Sequence, residues 1–143
     1  MKRHQPTPLL TALGNVDLFS DLDAKELAAI GDLCREETFQ PGDAIVSQGD
    51  SSARFYLIHS GEVEVFVHNK PVGRLGPNEH FGEIAVIDQM GRSADVRAHT
   101  AVTASSIASF NFRALLKEHV EITFKLLLGM CARVRKLEEH AGS

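Results

Sequence analysis

Apolar residues recur along this chain with two periods, and the period changes twice. Over residues 23–34, DAKELAAIGDLC, Leu27, Ala28, Ile30, Leu33 and Cys34 fall at the spacing of one helical face, and Asp23 is placed to cap the first turn. The preceding stretch, VDLFSDL at 16–22, reads as a helical turn packing Leu18, Phe19 and Leu22 under that helix. From Arg35 the punctuation differs. Turn signals follow closely: PGD at 41–43, QGD at 48–50, SG at 60–61, HNKP at 68–71 and GPN at 76–78. Between them lie short alternating runs, clearest in AIVSQ (44–48), FYLIHS (55–60) and EVEVFV (62–67). In the last, Val63, Val65 and Val67 face one way and Glu62, Glu64 and Phe66 the other. AVTASSIASFNF (101–112) reads as the closing strand. From Asn111 the helical period returns. NFRALLKEHV (111–120) predicts a short helix and EITFKLLLGMCARVRKLEEH (121–140) a longer one, with Ile122, Leu126, Leu127, Met130, Cys131, Val134 and Leu137 as its apolar positions.

Many short strands punctuated by Gly and Pro predict a β-sandwich, roll or barrel. With helices at either end the class is α+β: an antiparallel, jelly-roll-like β-roll over 35–110, an N-terminal helical segment over 7–34 and a C-terminal helix pair over 111–140. The chain has 143 residues, enough for a single domain over 1–143 with one core. Trp is absent and aromatics are few, so Leu, Ile and Val must fill that core.

Charge narrows the partners. Nineteen acidic residues stand against fifteen basic ones, and the basic cluster RVRK at 133–136 is followed, after Leu137, by Glu138 and Glu139. Nucleic-acid binding needs a concentrated basic face, so this chain alone is not expected to provide it. Cys34 and Cys131 form neither a CxxC nor a zinc spacing and read as two small buried thiols in a reducing compartment. The leader MKRHQPTPLL lacks the apolar core of a signal peptide, and no apolar run approaches a membrane span. A cytoplasmic location is expected.

One segment breaks the β pattern. In GEIAVIDQ (82–89), Ile84, Val86 and Ile87 suit one or two helical turns better than a strand. The start of such a helix favours an anion, and Gly82 lets backbone approach a ligand closely. Arg92 could add a fork of donors to the same anion, and Ser93 a hydroxyl. Glu83 fits beside an anion only if the ligand also carries a hydroxyl, because an ionised carboxylate can only accept hydrogen bonds. The blander possibility is that Glu83 and Arg92 pair to staple the segment.

The full stretch FGEIAVIDQMGRSADVRA (81–98) closely resembles the phosphate-binding cassette of the cyclic nucleotide-binding domain family. PGDAIVSQGD (41–50) and FYLIHSGEVEV (55–65) resemble the family's β-roll signature, and FRALLKEH (112–119) its first C-terminal helix. The resemblance implies a β-roll flanked by helices. Gly82, Glu83, Ile84 and Ala85 would meet the phosphate and ribose, with Glu83 on the ribose 2′-hydroxyl and Arg92 on the cyclic phosphate. Ser93 would touch phosphate or base, and Val65 would line the base side. Arg133 and Leu137 on the last helix are the base-side lid candidates, Leu137 by packing as apolar lids do in kinase subunits of the family. Leu137 and Glu138 depart from the polar groups that the catabolite activator places there, and Asn78 stands where many members have glycine. Members selective for cGMP often carry Thr after the arginine, whereas Ser93 also occurs in cAMP-binding members. cAMP is the expected ligand, with cGMP possible.

The competing readings are weaker. A cupin-type metalloenzyme needs H-x-H, which His59, His68, His80, His99 and His119 do not form. No G-x-S-x-G or nucleophilic Cys context is present, so no catalytic residues, metal or cofactor are expected. The alternative to a sensor is a vestigial fold that acts as a ligand-independent protein-interaction module. The final helix, through Leu126, Met130, Val134 and Leu137, could cover its own roll or pair with a second copy, giving a monomer or weak homodimer. In the family this helix moves on ligand binding, and the expected output is an effector protein or domain outside this chain. Met1 and a short polar leader favour a stand-alone protein over an excised domain.

Overall fold

The computed structural model describes residues 7–46, 53–88 and 94–142. The chain divides into two compact units: Leu33–Arg113, and Met1–Asp32 together with Ala114–Ser143.

The first unit is a β-roll of two four-stranded antiparallel sheets. Its strands are β1 (Arg35–Phe39), β2 (Ala44–Val46), β3 (Arg54–Ser60), β4 (Val63–Val67), β5 (Lys70–Leu75), β6 (His80–Phe81), β7 (Asp95–Ala98) and β8 (Val102–Ala108). One sheet runs β1-β8-β3-β6 and the other β2-β7-β4-β5. Side chains from both meet in one core: Val46, Tyr56, Ile58, Val63, Val96, Ala98, Val102 and Ala104. Phe39, Ile45, Val65, Leu75 and Phe81 pack around it. In β4 the expected alternation holds for Val63, Val65 and Phe66, and the register with β5 shifts after Val65. Val63 and Val65 turn inward, whereas Phe66 lies under the Arg97 guanidinium, 4.8 Å from its ring centre. In β3 Phe55, Tyr56, Leu57 and Ile58 are all buried, the continuous run of a strand covered on both faces. A short helix, α3 (Glu83–Asp88), packs against this strand.

Turn chemistry fixes the register. His68 and Asn69 both have positive φ, at 53° and 66°, and join the Val67↔Lys70 pair as a two-residue hairpin of primed type. Asn78 takes φ 71°, a left-handed conformation that Asn tolerates, and its N–H donates to Ile58 O at 2.8 Å. Gly61 has φ 86°, and a Cβ there would lie 2.0 Å from Ala101 O. The closing strand is shorter than the sequence indicated. It stops at Ala108, and the helix α4 (Ser109–Glu118) begins at once. Phe110 and Phe112 mimic strand alternation, but Phe110 is exposed and Phe112 buried because the helix turns them apart.

The second unit contains α1 (Thr7–Gly14), a 3-10 turn at Asp17–Phe19, α2 (Ala24–Gly31), the end of α4 and α5 (Val120–Ala141). Asp23 caps α2 reciprocally: its Oδ1 accepts from Glu26 N at 2.8 Å, and Glu26 Oε1 accepts from Asp23 N at 3.0 Å. Lys125 Nζ donates to the same Oε1 at 2.7 Å and ties α5 to α2. Thr123 Oγ1 donates to Leu116 O at 2.7 Å and fixes the corner between α4 and α5.

The buried stripe of α5 is Ile122, Leu126 and Gly129, not the wider set expected from periodicity. Leu127, Val134 and Leu137 are 59%, 51% and 65% exposed. The reason is Gly129, which periodicity does not count as apolar. A Cβ there would sit 2.8 Å from Leu18 O, so the helix approaches the 3-10 turn through its glycine and turns the leucines away. The expectation of two buried thiols is also corrected, since Cys131 is exposed and Cys34 half-buried.

Candidate functional site

The site is built on one short stretch where strand gives way to helix. Strand β6 is held from both faces. The Phe81 ring stacks on Tyr56, with centroids 5.0 Å apart, and the His80 ring lies 5.8 Å from that of Phe55. Gly82 then takes φ 92°, a left-handed conformation that side chains resist, and α3 starts at the next residue. The sequence expectation of a short helix here is met.

Glu83, Ile84 and Ala85 form the first turn of α3, the end at which backbone dipoles favour negative charge. Ile84 is exposed and Ala85 half-buried, while Val86 is buried at 1% exposure and anchors the helix. The Glu83 carboxylate faces back to β6, where His80 Nδ1 lies 3.2 Å from Oε1. Both side chains are largely shielded, at 22% exposure for His80 and 15% for Glu83. An ionised carboxylate only accepts, so Nδ1 carries the hydrogen and donates.

The other end of α3 is held from α4. A six-residue helix leaves most of its carbonyls without intrahelical donors. Ser109 Oγ donates to Val86 O at 2.9 Å, and Arg113 Nη1 donates to Ile87 O. A cation at a helix C-terminus also opposes the negative end of the dipole.

The structure thus brings Gly82, Glu83, Ile84 and Ala85 into one turn. Val65 lies in the opposite sheet with its side chain against the roll core. Arg92 and Ser93 lie outside the described residues. Of the other arginine in the 81–98 stretch more can be said: Arg97 pairs with Glu64 across the strands and covers Phe66, on the side of the strand away from the core. Arg133 is half-buried and Leu137 exposed on α5, in the helical unit. Sequence reasoning missed His80, Ser109 and Arg113. His80 stands three residues before Glu83 and could have been noticed as a partner. Ser109 and Arg113 lie one helical turn apart, but nothing in the sequence says that their common face meets α3.

Among the described residues no group of three His, Cys, Asp or Glu side chains could hold a metal ion. No helix among them is long and apolar enough to cross a membrane.

Comparison with known proteins gives a consistent picture. The family described as the cyclic nucleotide-binding domain matches residues 36–119. The chain is 33% identical over 112 residues to the cAMP-dependent protein kinase type II regulatory subunit of Drosophila melanogaster, covering 78% of this chain and 30% of that one. It is 34% identical over 107 residues to the cGMP-dependent protein kinase of Plasmodium berghei, covering 75% of this chain and 12% of that one. The chain therefore spans less than a third of the length of either relative. Among solved structures, the N-terminal domain of a transcriptional regulator from Streptomyces coelicolor superposes with a TM-score of 0.81 at 26% identity, covering 90% of this chain and 95% of that one.

Proposed function

The chain belongs to the cyclic nucleotide-binding domain family, and from that premise we propose that it is a non-catalytic sensor that binds a cyclic nucleotide, cAMP in preference to cGMP, in its β-roll. The observation that carries the reading is the turn at Gly82–Ala85, where a left-handed glycine delivers a shielded, oriented carboxylate and a helix start to one place. A cyclic nucleotide carries a ribose hydroxyl beside a phosphate. Glu83 accepts from the hydroxyl; the amides of Ile84 and Ala85 and the Arg92 guanidinium donate to the phosphate. Arg97 is turned to the outer side with Phe66, which leaves the phosphate to Arg92 within this segment. Val65 contributes on the base side and Ser93 touches phosphate or base, with Arg133 and Leu137 as lid candidates.

Occupancy is relayed through movement of the C-terminal helix to an effector protein or domain. Support for the relay comes from α4: Ser109 and Arg113, in its first half, hold the Val86 and Ile87 carbonyls of the helix that carries Glu83. A ligand that fits one arrangement of α3 better than another shifts the population of both helices together.

The test is calorimetric titration with cAMP and with cGMP, after unfolding and refolding to remove any nucleotide carried through purification. Binding at micromolar affinity or tighter is expected. The Arg92→Ala substitution should weaken it by at least about a hundredfold, since two charge-assisted hydrogen bonds contribute about 1.5–3 kcal/mol each. Binding unchanged by Arg92→Ala would remove the phosphate role. No binding of either nucleotide would leave the fold as a ligand-independent protein-interaction module.

A further inference from the structure

We propose that His80 is a positioning residue for ribose recognition: its Nδ1–H holds the Glu83 carboxylate in the orientation that accepts the nucleotide's 2′-hydroxyl. The inference rests on the reading of Glu83 given above and names the residue through which that recognition is tuned.

The imidazole is not free to wander. Its backbone is fixed by the pairing of β6 with β3, Leu57 opposite His80, and its ring lies against Phe55. Gly82 turns the chain so that the carboxylate three residues on returns to this ring at 3.2 Å. A glutamate side chain has several rotatable bonds, and confining it costs entropy that a ligand would otherwise have to overcome on binding. Here the confinement is already made in the protein. A carboxylate offers about four lone-pair positions, and the bond from Nδ1 takes one of them.

The alternative is a local staple that supports the turn and has no influence on which sugar binds. Ligand chemistry separates the two. The experiment titrates cAMP, cGMP and the 2′-deoxy form of each into the wild type and three variants. His80→Phe keeps a ring against Phe55 but lacks the donor. His80→Asn places its amide nitrogen where Nδ1 stands. His80→Gln places its amide nearer the position of Nε2.

The wild type should prefer the ribose form over its 2′-deoxy analogue by about tenfold or more, the worth of one hydrogen bond to a charged group. His80→Phe and His80→Gln should reduce that preference to about threefold or less while leaving the affinity for the 2′-deoxy form within about twofold of wild type. His80→Asn should restore most of the preference. Full preference in His80→Phe, or an equal loss for both sugar forms, would overturn the proposal. Should the Phe variant fail to fold by thermal unfolding, the contrast between Asn and Gln decides the matter in the same way. A wild type that binds both sugar forms equally overturns the roles of Glu83 and His80 together, and one that binds neither overturns the sensor reading itself.

Discussion

Replacing Arg113 with methionine should loosen the helix that carries Glu83 while leaving the sheets intact. Helix α3 has six residues, well below the roughly 12–15 that an isolated helix needs to persist in water. Its order must come from its surroundings: the buried Val86 side chain and the two donors from α4. Methionine keeps most of the aliphatic stem and removes the charged donor to Ile87 O. A hydrogen bond from a charged group contributes about 1.5–3 kcal/mol, and half-burial places this one toward the lower end. At about 1.5–2 kcal/mol, local opening should become roughly 13–30 times more frequent. Native-state hydrogen exchange reads this directly in peptides covering residues 83–88. Faster exchange there, with β3 and β8 unchanged, is the expected result. Nucleotide affinity should fall by no more than the same factor, because only the competent fraction is reduced. Unchanged exchange in 83–88, or equal acceleration throughout the roll, would refute the claim that Arg113 acts locally on α3.

Two further substitutions test the scaffold. Gly61→Ala combines a positive φ with a Cβ 2.0 Å from Ala101 O, so it should cost at least about 2–3 kcal/mol in urea unfolding, and an unchanged midpoint would contradict the close approach. The Lys125 ammonium is held above the ordinary lysine range by its hydrogen bond to Glu26, against some desolvation and with help from the charges of Glu26, Asp23 and Glu121. Its folded pKa is the higher one, so the stability it adds is full below the ordinary lysine value and is lost as pH rises through the raised one. The stability difference between wild type and Lys125→Met should therefore be small and flat through neutrality and vanish at alkaline pH; a difference that grows on raising the pH would reverse the sign of this assignment.

Much of the roll was legible because strand and turn chemistry agree. The alternation in β4, the His68–Asn69 turn and the Asp23 cap each follow from local side-chain chemistry, and the structure places them as expected. β1, β5, β6 and β7 were not individually resolved. β6 is only two residues long, and β5 carries no buried residue, so neither leaves a hydrophobic signature. The α5 stripe failed because the decisive residue was Gly129, whose contribution is the absence of a side chain. Of the candidate site, the turn at Gly82–Ala85 was legible, because a glycine followed by helically spaced apolar residues signals a short helix and the structure forms it. Its supports were not, since His80 is recognised through a ring contact and Ser109 and Arg113 through a face that only folding brings to α3.

The sheet order has a consequence for how the chain is made. β8 lies between β1 and β3, with Arg35 opposite Ser106 and Phe55 opposite Ile107. Both earlier strands must therefore wait for a partner encoded far downstream. During synthesis they present unpaired edges until Val102–Ala108 has left the ribosome, the period in which edge pairing with another chain is most dangerous. Closure of that sheet should be a late, slow event set by the long loop between β1 and β8. Any fragment ending before Val102 would keep every turn of the roll's first strands and still lack the strand that joins them.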